Sequence, residues 1–151
     1  MVIRVLLNYS IEKGARVNVT DASGETPLLV ACFQDHADIV KILLESGANV
    51  TVTTRANGDT PLHLACKNGE TDIVKALLES GANVTVTTRA NGHTPLHLAC
   101  KNGETDIVKT LLDSNANVTM TTRANAHTPL HLACIEDHTD VVQELLNKRR
   151  C

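Results

Sequence analysis

A tetrad that returns on a fixed step constrains this chain more than any other feature. Thr26-Pro27-Leu28-Leu29 is followed by Thr60-Pro61-Leu62-His63, Thr94-Pro95-Leu96-His97 and Thr128-Pro129-Leu130-His131, each 34 residues after the one before. A period of that length marks a solenoid, in which each unit buries its apolar face against the next. A stack of small units offers a long surface rather than a catalytic cleft. The period therefore points to binding before chemistry.

One unit can be read from Asn49 to Ala82. Thr51 to Thr54 is short and β-branched. Arg55-Ala56-Asn57-Gly58-Asp59 follows, and Asn-Gly is a strong turn signal, so this stretch reads as a projecting finger or hairpin loop. Thr60 is placed to cap a helix with Pro61 at its first position. Leu62, Ala65 and Cys66 then recur at helical spacing, and Asn68-Gly69 ends the run. A second helix is predicted from about Thr71, taken as its cap, to Ser80. Ile73, Val74, Leu77 and Leu78 form its buried face and Gly81 stops it. Neither helix is long enough to stand alone, so the contacts between units carry the stability.

Helix–turn–helix units opened by Thr-Pro-Leu-His and closed by Gly-Ala resemble ankyrin repeats. The likeness covers the whole chain. It implies an all-α solenoid of stacked helix pairs with projecting loops, forming a single domain over 1–151. Within it, 1–15 reads as a half repeat and 16–48, 49–82, 83–116 and 117–151 as repeats 1 to 4. The family's usual period is 33; the extra residue here falls in the Val-Thr-Thr-Arg-Ala-Asn loop, and the loop from Arg16 to Glu25 is one residue shorter. Residues 2–13 read as a second helix without its first. The apolar pattern persists at Val141, Val142, Leu145 and Leu146, so the chain is expected to be part of a longer protein.

The repeats are not equal. Repeats 2 and 3 agree at 30 of 34 positions, differing at Asp59/His93, Ala76/Thr110, Glu79/Asp113 and Gly81/Asn115. Such near-identity points to recent duplication or to construction by design. Repeat 1 carries Leu29 where the others carry His.

Composition narrows the function classes. Net charge is −3, which gives no field for nucleic acid or an anionic membrane. No apolar run reaches the 18 or so residues that a membrane span needs. The N-terminal stretch has Arg4 as its only positive charge and no cleavage pattern, which predicts an intracellular protein. Cys32, Cys66, Cys100 and Cys134 recur at one repeat position. Helices in a stack lie about 8–10 Å apart, too far for disulfides, so all four are expected to be small buried thiols. Cys151 stands apart as a terminal, exposed thiol. Asn-Val-Thr recurs at Asn18, Asn49, Asn83 and Asn117; a structural role near the helix end is preferred to glycosylation.

His63/Cys66, His97/Cys100 and His131/Cys134 each form His-x-x-Cys. Zinc needs four converging ligands and each repeat supplies two, so no metal is expected. Three equivalent dyads would demand three active sites, so no catalytic residue and no enzyme activity is expected. No glycine-rich phosphate loop is present and no cofactor is implied.

The resemblance implies that loop tips and the exposed face of each first helix contact a partner protein. The matching positions are Arg55, Asn57, Asp59 and Lys67 in repeat 2, and Arg89, Asn91, His93 and Lys101 in repeat 3. Repeat 4 supplies Arg123, Asn125, His127 and Ile135, and repeat 1 supplies Phe33. Arg55, Arg89 and Arg123 form a row at about 10 Å spacing. An extended segment advances about 3.3 Å per residue. Acidic or phosphorylated residues at every third position would meet each guanidinium. The expected function is a non-catalytic interaction module, monomeric, binding a protein or an extended acidic or phosphorylated peptide. The alternatives are a structural spacer and an engineered repeat protein without a natural partner.

Overall fold

The computed structural model describes residue 10 and residues 12–148. The helix predicted over 2–13 lies almost wholly outside them, as does Cys151. Eight helices follow one another among the described residues, with no strand. They are α1 (Pro27–Phe33), α2 (Ala37–Glu45), α3 (Pro61–Asn68), α4 (Thr71–Glu79), α5 (Pro95–Asn102), α6 (Thr105–Asp113), α7 (Pro129–Ile135) and α8 (Thr139–Lys148). The odd-numbered helices pack side by side as one layer and the even-numbered ones as a second.

Local chemistry sets each boundary. Thr26, Thr60, Thr94 and Thr128 are extended, and each hydroxyl accepts the N–H three residues on. Proline at the next position has no N–H to lose. In repeats 2 to 4 the histidine returns the bond: the threonine N–H donates to Nδ1 of His63, His97 or His131 at 3.1–3.2 Å. Both groups of a capping box are thereby satisfied. The second helices start differently. Thr71 is the first helical residue and not the cap; the cap position is Glu70, whose side chain makes no capping bond. Asp38, Asp72, Asp106 and Asp140 in the first turns favour the positive end of the helix dipole instead.

The loops are closed turns rather than β-ribbons. Thr54 N donates to Asp59 O at 2.9 Å, and Asp59 N donates to Thr54 Oγ1 at 3.1 Å. Thr88 with His93 and Thr122 with His127 repeat the pattern. In repeat 1 the same closure joins Asp21 to Glu25, and the Asp21 carboxylate replaces the threonine hydroxyl. The additional residue of the longer loops thus lies inside this turn, between the two partners that close it.

The core runs unbroken between the layers. Leu28, Leu62 and Leu96 from the odd helices meet Val40, Ile73, Val74, Leu77, Ile107, Val108 and Leu111 from the even ones, all at most 1% exposed. Cys32, Cys66 and Cys100 fill small buried sites between them. Cys134 departs from the expectation for its row: it is exposed, because no helix pair covers that side of α7 among the described residues.

Candidate functional site

The candidate surface is built from two strips, the loop tips and the outward edge of the odd helices. The fold holds both by bonds that run from one repeat to the next. His63 and His97 are the main fasteners. Nδ1 accepts from the threonine N–H, so the ring proton resides on Nε2. From there it is donated to the next loop, to His93 O at 3.0 Å and His127 O at 3.1 Å. Both rings are wholly buried. Burial opposes a charge on them and holds both below the ordinary imidazole range, His97 at about 4. The pairs His63/Cys66 and His97/Cys100 are accounted for in this way: the imidazole is a neutral bridge and the thiol is core. His131 and Cys134, by contrast, are exposed, and among the described residues His131 hydrogen-bonds only its own Thr128. Burial also pushes Cys32 and Cys100 up to about 12 and Cys66 upward as well, which leaves these thiols unreactive. Among the described residues no group of three or more His, Cys, Asp or Glu is placed to hold a metal.

The arginine row proves more structural than its register suggested. Arg89 N donates to Asn57 O at 2.7 Å and Arg123 N to Asn91 O at 3.0 Å. Arg89 Nη1 donates back to Arg55 O at 3.3 Å, and Arg123 Nη1 donates likewise to Arg89 O. Each side chain lies over the glycine of the loop before it. A Cβ on Gly58 would sit 3.1 Å from Arg89 Cβ, and one on Gly92 would sit 2.8 Å from Arg123 Cγ. Glycine is therefore required there twice over, for its left-handed φ of 72° or 69° and for this close approach. Sequence reasoning missed this packing. The recurrence of Arg two residues before Asn57, Asn91 and Asn125 was the available signal.

The predicted contacts fall into four groups. Arg55, Asn57, Lys67, Arg89, Asn91, Lys101, Arg123 and Asn125 are exposed along one edge. His93 and His127 are half-buried and stack on His97 and His131, with ring centroids 5.9 and 5.7 Å apart. Asp59 is not at a tip: it is 8% exposed, recessed below Asn57, whose Nδ2 reaches its Oδ2 at 3.4 Å. Phe33 and Ile135, at 65% and 59% exposure, mark the two ends of the helix strip. Asparagines tie the strip together from behind. Asn68 Nδ2 donates to Asp35 Oδ1 at 2.7 Å and Asn102 Nδ2 to Lys67 O at 2.7 Å. In repeat 4 His138 Nε2 takes over this role, bonding Lys101 O at 2.9 Å.

No helix among the described residues is long and apolar enough to cross a membrane. The family model for ankyrin repeats (3 copies) matches residues 2–88 and again residues 85–151. Protein fem-1 homolog C from Bos taurus, Mus musculus and Homo sapiens is 44% identical over 43 residues, which is 28% of this chain. The match spans 7% of the length of those relatives.

Proposed function

Given that this chain belongs to the ankyrin-repeat family, we propose that it is a non-catalytic, monomeric, intracellular recognition module. Repeats of this family mediate protein–protein interaction. Here the partner is read as a protein segment lying along the loop tips and first-helix edge. The observation that carries the reading is the exposed polar edge itself. Arg55, Asn57, Lys67, Arg89, Asn91, Lys101, Arg123 and Asn125 recur along one line on a backbone that inter-repeat hydrogen bonds tie together. Pre-organisation of this kind lowers the ordering cost of binding.

The segment is further read as acidic or phosphorylated opposite the arginine row. Each guanidinium has five N–H donors, and the structure engages one nitrogen of Arg89 and of Arg123. The outward donors remain for a carboxylate or phosphate. The test is a paired capture from cell lysate with wild type and with Arg55, Arg89 and Arg123 changed to Gln, both checked by circular dichroism. Partners held by wild type and lost by the variant support the reading. Equal capture by both removes the arginine row from it. No capture by either favours a spacer role.

A further inference from the structure

The inner edge of the array changes chemistry from one end to the other. The position before each capping threonine is Glu25, Asp59, His93 and His127 in repeats 1 to 4. Near the end of the same helices stand Phe33, Lys67, Lys101 and Ile135. Repeats 1 and 2 therefore combine acid at one end of the strip with an aromatic ring at the other, and no other pair of neighbours does.

The structure hollows a groove between these two repeats. It encloses about 380 Å³ and is floored by Leu29, Val30, Phe33 and Leu64, with Glu25 and Asp59 at its loop end. Leu29 stands where repeats 2 to 4 have histidine, which makes the floor apolar. Val30 is 45% and Phe33 65% exposed, whereas Leu64 is covered. Asp59 is the unusual member. Its carboxylate is recessed, and the side-chain bond it receives comes from a neutral amide at 3.4 Å. Carboxylates form their strongest hydrogen bonds with cationic donors. Lys67 stands at the opposite end of α3, about 12 Å away by helical rise.

We propose that the groove of repeats 1 and 2 receives a partner segment carrying a large apolar side chain and a lysine or arginine within four residues of each other. The apolar group packs on Val30 and Phe33, and the cation meets Asp59 and Glu25. An extended chain covers the roughly 12 Å from the acidic end to the aromatic end in about four residues. The inference rests on the reading of this edge as the recognition surface, but not on the arginine row.

The test is selection of a displayed random 12-residue peptide library on the wild-type chain, followed by affinity measurement of the enriched peptides as synthetic chains. Variants are Phe33→Ala, Asp59→Asn and Glu25→Gln, with the Arg55/Arg89/Arg123→Gln triple as comparison, each checked for folding by thermal melt. Enriched peptides should pair an aromatic or leucine with a lysine or arginine within four positions. They should lose about tenfold in affinity on Phe33→Ala, as expected of an exposed aromatic anchor. A similar loss is expected on Asp59→Asn, and Glu25→Gln serves should Asp59→Asn fail to fold. Enrichment without that pairing, or affinity indifferent to the groove variants, overturns the proposal. Peptides weakened only by the arginine triple would overturn it while supporting the acidic-partner reading. No enrichment on wild type also overturns it.

Discussion

Repeats 3 and 4 share the string Thr-Pro-Leu-His-Leu-Ala-Cys, yet the two copies live in different surroundings. In repeat 3, Leu96, His97 and Cys100 are completely buried. In repeat 4, Leu130 is half-buried and His131 and Cys134 are exposed. Both histidines make the same capping bonds to their own threonine. Among the described residues, His97 has a loop ahead of it to receive its Nε2 proton and His131 has none. The difference teaches that local sequence determines the helix and its cap, while the neighbouring unit determines burial and the bonds that cross between units. That is the physics of a one-dimensional stack.

The largest expected effect tests packing. Leu96→Ala should cost about 2–5 kcal/mol, the usual range for a fully buried leucine, and Leu130→Ala clearly less. Urea unfolding of both variants checks it. Equal losses would break the comparison.

Next comes the histidine bridge. His97→Ala strands the N–H of Thr94 and the carbonyl of His127, at about 1–3 kcal/mol for a buried group left unpaired. His131→Ala should cost less, because water reaches the groups it leaves. The bridge also sets a pH dependence. His63 and His97 bind protons less readily folded than unfolded, so their contribution is complete above the unfolded value near 6.5 and declines as pH falls below it. For His97 the decline continues to about pH 4. The melting temperature should fall over that interval, and a His63/His97→Leu double variant should flatten the profile.

A smaller effect tests the loops. Ala126 stands where repeats 2 and 3 have Gly58 and Gly92, and it adopts the same left-handed backbone with φ 51°. Ala126→Gly should stabilise by about 1 kcal/mol, since the left-handed strain is removed. Gly92→Ala should destabilise by more than that, because its Cβ meets Arg123 as well. The smallest effect is the surface pair Lys109–Glu144 at 3.6 Å, whose removal should change stability by less than about 1 kcal/mol.

These contrasts mark what was legible in the sequence. The starts of the odd-numbered helices were readable from Thr-Pro and several stops from Gly, because caps depend on neighbours three or four residues away. The start of α4 was not, since Thr71 is its first residue and Glu70 holds the cap position. The left-handed Asn115, at φ 62° in the place of Gly81, follows the same local rule as the glycine stops. The position of Asp59 was not readable. A turn signal places it at a tip, whereas the bonds of its own N–H and carbonyl to Thr54 draw it inward. Nor was the packing of arginine on glycine, which joins residues about one repeat apart. Cys134 failed for the reason repeat 4 differs from repeat 3: a repeated position was equated with a repeated environment.

Amide hydrogen exchange, resolved by residue, tests this most directly. If the neighbour sets each unit's burial, the amides of α5 should exchange only through opening of the whole stack, and those of α7 at least tenfold faster through fraying of the last unit. Equal protection in α5 and α7 would contradict the account.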